Sequence, residues 1–421
     1  MTHPASLEVN GRLYRWPAAP IVVVCIDGSE PDYIERAVAE GAMPFMGAML
    51  AAGADLRADC VVPSFTNPNN LSIVTGTPPA VHGICGNYIL DPETGEEVMM
   101  NDPRYLRAPT IFQAFAEAGA KVTIVTAKDK LRRLLGHGLS FGEGGAVCFS
   151  SEKADQVSLE EHGIEGVLEL VGLPVPDVYS AALSEFVFAA GVKLMAGSRP
   201  DLMYLSTTDY IQHKHAPGTA EANAFYAMMD GYLAELDRLG AVLVLTADHG
   251  MNAKHGPEGA PQVIYLQDVL DDWLGTDAAR VICPITDPYV VHHGALGSFV
   301  MAYLPEGADA QDMAARIGAL EGIDYAAPKA EACARFELPP ERCGDVIVVS
   351  ARHVVVGTSA ARHDLSGLEV PLRSHGGITE QRVPLLVNRP VAGLEGRNLR
   401  NFDAFDIALN HIHAAVGAVA E

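Results

Sequence analysis

The run Ile21-Val22-Val23-Val24-Cys25-Ile26 offers no polar side chain on either face. Successive residues of an extended chain point to opposite sides, so a strand that is apolar at every position must be covered on both, as in parallel sheets. Three similar runs follow: Lys121 to Thr126, Leu202 to Ser206 and Ala241 to Thr246. Helical patterns lie at about 33–51, 110–118, 178–197 and 218–238. Strands alternating with helices predict an α/β fold, with a mostly parallel central sheet and helices on both faces.

Three of the runs end in polar residues: Asp27, Thr208-Asp209 and Asp248-His249. Open α/β sheets bind ligands beyond the carboxyl ends of their strands, so these separate segments are expected to converge.

From about Lys254 the texture changes to Gly, Pro and short β-like runs (Phe299 to Leu304, Asp345 to Val349, His353 to Val356) around a helix near 309–319. The expected organisation is an α/β metallohydrolase core over 1–253 and 371–421, with a smaller inserted α+β cap over 254–370. Pro384 to Asn388 reads as a returning strand, 403–418 as a closing helix, and Asp91 to Pro109 as a surface excursion.

Charge excludes one broad class of partner. With 29 Lys+Arg against 53 Asp+Glu the chain carries a formal charge of −24, which repels nucleic acid and anionic membranes. No apolar run approaches the roughly 20 residues needed to cross a bilayer, and the start lacks a signal-peptide pattern. The seven cysteines are scattered without CxxC pairs, so a reduced, cytoplasmic setting is expected.

Seven potential ligands stand out by position: Asp27, Thr66, Asp209, His213, Asp248, His249 and His375. Carboxylate oxygen and imidazole nitrogen both suit zinc, and this number of donors could fill two tetrahedral ions completed by substrate or water. Asp209 and His213 are spaced i, i+4 and share a face if a helical turn follows the strand, though that spacing is common on solvated surfaces. Asp248-His249-Gly250 ends a buried run, where such groups must be solvated, paired or metal-bound; a helix cap with a solvated histidine also fits. His375, before Gly376-Gly377, fits either a close backbone approach or a plain turn. Thr66 reads equally as a capping threonine or as a hydroxyl made nucleophilic by a divalent cation at a helix N-terminus. His292, His293, His353, His363, His411 and His413 have no matching partners in the sequence.

The segments VVVCIDGSEPDYI, VVPSFTNPNNLSIVTGTPPAVHGICGNY, TAKDKLRRLL, STTDYIQHKHAPG, TADHGMNAKH and PLRSHGG resemble the alkaline phosphatase superfamily of two-metal hydrolases. The first, second and fifth are shared in outline with nucleotide pyrophosphatase/phosphodiesterases. The lysine segment and DYIQHKHAPG resemble the phosphonoacetate-hydrolysing branch. The resemblance implies one zinc on Asp209, His213 and His375 and a second on Asp27, Asp248, His249 and the nucleophile Thr66. It further implies C–P bond cleavage to acetate and phosphate through a phosphothreonine, with Asn87 donating to a phosphonate oxygen. Lys128 and Lys130 would hold the substrate carboxylate, although as a bare pattern they also read as a solvated loop pair. His215 would assist substrate or leaving group. The implied partner is a small phosphonate, with neither nucleic acid nor membrane, and a homodimer is compatible. The alternatives are a two-metal nucleotide phosphodiesterase or pyrophosphatase, a non-catalytic phosphonate-binding metalloprotein and, third, a mutase.

Overall fold

The computed structural model describes residues 3–288 and 293–412. Its central sheet has seven strands: β1 (Ile21–Cys25), β2 (Ala54–Asp59), β3 (Val122–Thr126), β4 (Val147–Ser150), β5 (Leu202–Ser206), β6 (Val242–Thr246) and β7 (Arg382–Val387), in the order β2-β7-β6-β1-β5-β3-β4. Every pairing from β6 to β4 is parallel, while β7 runs antiparallel to both its neighbours. The mostly parallel α/β architecture expected from the sequence is the one observed.

Strand β1 shows why the sheet has two covered faces. All five of its residues are buried. Val23 and Cys25 belong to one apolar cluster, with Leu71, Phe112 and Phe405. Val22 and Val24 belong to the other, with Tyr33, Phe186 and Tyr226. The second face is built from α1 (Pro31–Ala39), α2 (Pro44–Ala52), and the long helices Ala182–Gly197 and Ala220–Arg238; the first face receives α3 (Thr66–Thr75).

A four-stranded antiparallel sheet, in the order Arg280–Ile282, Phe299–Tyr303, Val346–Ser350, Ile323–Pro328, carries the helices Ala310–Gly318 and Lys329–Phe336. Its residues Val300 and Val348 share an apolar cluster with Val23 of β1, so the two sheets are continuous through their cores.

The helical pattern at 33–51 resolves into two helices. Gly41 takes a left-handed φ of 77° and Pro44 starts α2 within its first turn, so the chain turns between them. The stretch His353 to Val356 forms a strand only over Val355–Gly357. Asp91 to Pro109 holds the second strand of a short hairpin, Tyr88–Leu90 with Glu97–Met99, and one 3-10 turn. The closing helix is helical over residues 404–411, with a π-helical turn at Ile407–His411. Ile412 leaves the helix in extended conformation and pairs with Val391, short of the expected end at 418; residues 413–418, and with them His413, lie outside the described residues, as does His292. No helix among the described residues is long and apolar enough to cross a membrane.

Candidate active site

Strands β6, β1 and β5 are adjacent and parallel, so their carboxyl ends bring Asp248-His249, Asp27 and Asp209 to one edge. His213 follows Asp209 one turn along the short helix Tyr210–Lys214. His375 arrives from Arg373–Ser374, which pairs antiparallel with Asn252–Ala253 just beyond His249. Two buried groups result, Asp209 with His213 and His375, and Asp27 with Asp248 and His249; within each, the ligand-capable atoms all lie within 4.8 Å of one another.

Backbone carbonyls decide where the ring protons sit. Nδ1 of His213 lies 2.8 Å from the Arg373 carbonyl, that of His249 2.9 Å from Gly250, and that of His375 2.8 Å from Ser64. A carbonyl can only accept, so each Nδ1 carries the hydrogen, and Nε2, facing the cluster, is the nitrogen left to take a proton or a metal. Nε2 of His249 stands 3.2 Å from Oδ1 of Asp27, and both atoms are buried with no other hydrogen-bond partner. Donors this close, with no other partner, suit a shared cation between them.

The electrostatics agree. Burial, with Asp209 and Asp248 nearby, pushes the Asp27 carboxyl well above its ordinary range. Burial disfavours charge on His249, but Asp248 and Asp27 outweigh it and hold the imidazolium up to about 10. His375, desolvated and beside His249 and His213, is pushed well below its ordinary value. Buried carboxylates that repel one another are relieved by bound cations, and the all-oxygen and nitrogen donor set suits a divalent metal such as zinc.

Thr66 is the first residue of α3, after Phe65 in extended conformation (φ −121°, ψ 159°). It lines a cavity together with Asp27, Asp209, His375, Asn87, Lys128 and Lys130. The dipole of α3 favours an anion at its N-terminal end. Asn87 Oδ1 accepts from the Asn67 amide at 3.1 Å and Nδ2 donates to the Ile285 carbonyl at 3.4 Å, which orients the side-chain amide.

Lys128 is extended (φ −107°, ψ 140°) and Lys130 lies in the first turn of the helix Asp129–Leu135, so both reach the same cavity across the start of a helix. Lys130 Nζ pairs with Asp287 Oδ2 at 2.6 Å. Burial works against charge on Lys128, but Asp287, Asp209 and Asp27 overcome it and raise its pKa. Asp287 is held far below its ordinary value, against burial, by Lys130, Lys128 and His293.

Asp287 carries no sequence signal, because it sits between short irregular runs and meets its lysine only in the fold. His293, without an identifiable partner in the sequence, lines the cavity, lies 4.0 Å from Asp287 Oδ1 and stacks on the His213 ring at 5.3 Å between centroids. Thr207 also lines the cavity, and its hydroxyl accepts from the Asp27 amide at 3.0 Å. His215 is not brought into this group: it ends the helix Tyr210–Lys214, with its ring 3.8 Å from Glu221 and outside the cavity wall. His363 is held by Thr358 and the Gly294 carbonyl, and His411 by Arg397 and the Ala392 carbonyl, which are structural settings.

A mixed sheet of this order with two clusters of buried donors at its carboxyl edge defines a class: the chain belongs to the type I phosphodiesterase / nucleotide pyrophosphatase family, whose profile matches residues 21–377. Within that class it is 62% identical to phosphonoacetate hydrolase from Sinorhizobium meliloti 1021, whose crystal structures hold phosphonoformate or phosphonoacetate. That similarity covers 97% of this chain and 99% of the other, with a TM-score of 0.94. Two curated relatives are more distant: an ectonucleotide pyrophosphatase/phosphodiesterase of Caenorhabditis elegans, 36% identical over 83 residues, and an uncharacterised pyrophosphatase/phosphodiesterase of Schizosaccharomyces pombe, 24% identical over 269. Those matches take in 19% and 60% of this chain, which spans 10% and 48% of the respective lengths of these relatives.

Proposed function

We propose that this protein hydrolyses phosphonoacetate to acetate and phosphate, using two zinc ions and Thr66 as nucleophile. One observation carries the reading: Lys128 and Lys130 line the same cavity as Thr66, Asp27, Asp209 and His375. A phosphonate at the metal edge would therefore have its carboxylate beside two cationic side chains. The 62% identity to a phosphonoacetate hydrolase over nearly the whole chain supports the same substrate.

One ion would be held by Asp209, His213 and His375, and the other by Asp27, Asp248, His249 and Thr66. Bound there, they would supply Lewis acidity, neutralising phosphonate oxygens and favouring the ionised hydroxyl. Thr66 Oγ1 attacks phosphorus as the P–C bond breaks, with its electron pair passing to carbon and into the adjacent carboxylate. Lys128 and Lys130 hold that carboxylate where the charge accumulates, and the departing carbon takes a proton from solvent. Asn87 donates to a phosphonate oxygen and the first turn of α3 favours the anion. Water then releases phosphate from the phosphothreonine.

Residues 254–370 act as a cap in this reading, since Ile285, Asp287 and His293 contribute to the cavity wall. The seven cysteines are all buried and free, which suits a reducing cytoplasm.

The test compares acetate release from phosphonoacetate with turnover of a nitrophenyl nucleotide. Acetate release with little nucleotide turnover is expected. The reverse would make the protein a nucleotide phosphodiesterase, and turnover of neither with phosphonate still bound would make it a binding protein.

A further inference from the structure

Behind the metal donors lies a fully buried ion pair that none of the chemistry above uses. Glu380 and Lys254 are 1% and 0% exposed, and Lys254 Nζ lies 2.9 Å from Glu380 Oε1. Replacing such a pair with apolar residues of similar volume is often neutral or stabilising, so stability alone is a weak account of it.

Its contacts point to a different role. Glu380 Oε1 also accepts from Asn252 Nδ2 and from Thr379 Oγ1, each at 2.6 Å, while Oε2 accepts from the Gly377 amide at 2.9 Å. The Glu380 carbonyl accepts from the Gly250 amide at 2.7 Å. Lys254 Nζ donates further to the Arg352 carbonyl at 2.7 Å. One side chain thus grips the loop that follows Asp248 and His249, through Asn252 and Lys254, and the loop that follows His375, through Gly377. The fit is tight: a Cβ on Gly377 would come within 2.9 Å of Ser298 Cβ and 3.1 Å of Glu380 Oε2.

We propose that Glu380, with Lys254 as counter-ion, is a positioning residue that locks the Asp248-His249 loop to the His375 loop and thereby sets metal affinity at both groups. The inference rests on the two-metal reading above. His375 completes one group and Asp248-His249 two-thirds of the other, so letting the loops drift apart loosens both. Glutamine cannot replace the carboxylate, because its amide nitrogen would face a donor on one side or the other.

The experiment measures Zn²⁺ affinity of the metal-free protein by competition with a chromophoric chelator, alongside the melting temperature of the metal-free form. For Glu380→Gln the affinity should fall by about tenfold or more at temperatures where the metal-free variant is folded, the range seen when groups orienting ligands are removed. A lower melting temperature with unchanged affinity would reduce Glu380 to a structural strut and overturn the proposal. Should that variant fail to fold, Lys254→Met keeps the carboxylate but removes its counter-ion; a smaller fall in affinity supports the proposal, and an unchanged affinity overturns it. Absence of Zn²⁺ uptake by the unaltered protein would instead overturn the metal reading, and this inference with it.

Discussion

The ammonium of Lys130 lies 2.6 Å from the carboxylate of Asp287, in the wall of the cavity onto which Thr66 opens. In the proposed reading the acid orients Lys130 rather than binding the ligand, and Lys128, which also feels Asp287, is a second cation in the same cavity wall. Substitution at either lysine should therefore act on the carboxylate end of the substrate. Lys128→Ala and Lys130→Ala should each reduce kcat/KM for phosphonoacetate by about 10–100-fold, the size of a lost charged hydrogen bond. Turnover of an aryl phosphate, which has no carboxylate, should change little. Equal losses on both substrates would remove the carboxylate from these residues.

Thr66→Ala should lower acetate release by about a thousandfold or more, since a nucleophile's loss removes the covalent route. Thr66→Ser keeps an oxygen in place and should retain measurable turnover. Intact-mass measurement of quenched enzyme should show a phosphorylated species in the unaltered protein and none in the alanine variant. Unchanged acetate release from Thr66→Ala would exclude this mechanism.

Exhaustive chelation should abolish turnover and lower the melting temperature. A ligand that binds only the native state stabilises it by about 2.7 kcal/mol at a hundred times its Kd. Calorimetric scans with and without added Zn²⁺ read this directly, and identical scans would mean that the buried donor groups do not take up the ion.

Acid stability should depend on His82. This ring is fully buried, with Nε2 2.9 Å from Ser72 Oγ and Nδ1 accepting from the Ile84 amide, and desolvation plus the nearby Arg342 lowers its pKa from 6.5 to about 3. Below pH 6.5 the unfolded chain binds a proton that the folded chain refuses, so stability falls as pH drops from 6.5 towards 3. The slope is about 1.4 kcal/mol per pH unit at most. Denaturant titration of metal-free His82→Asn should show a shallower acid limb than the unaltered protein, though a lower plateau; parallel limbs would assign the acid sensitivity elsewhere.

The strands that build the site were legible because each is a mostly apolar run closely followed by an acid: Asp27, Asp209 or Asp248. Leu202 to Ser206 matches its strand to the residue, and β1 and β6 to within one. Strand β2 was not legible: its sequence Ala-Asp-Leu-Arg-Ala-Asp sits at the sheet edge, where polar residues alternate with apolar ones and one residue of six is buried. The donors at positions 27, 209, 213, 248 and 249 could be singled out because strand ends and short-range spacing mark them, whereas His375 stood out only by the two glycines after it and by the resemblance. Asp287 and Glu380 could not. Each matters through a partner more than a hundred residues away along the chain, Lys130 and Lys254 respectively, and nothing local distinguishes them from surface acids.

Strand β2 joins the sheet only through β7, so residues 54–59 wait for residues 382–387 before they can pair. The loop bearing His375 immediately precedes β7 along the chain. A nascent polypeptide therefore emerges from the ribosome with Asp209 and His213 made long before the imidazole of His375, so an ion shared by those three residues could be taken up only once nearly all of the molecule has been made.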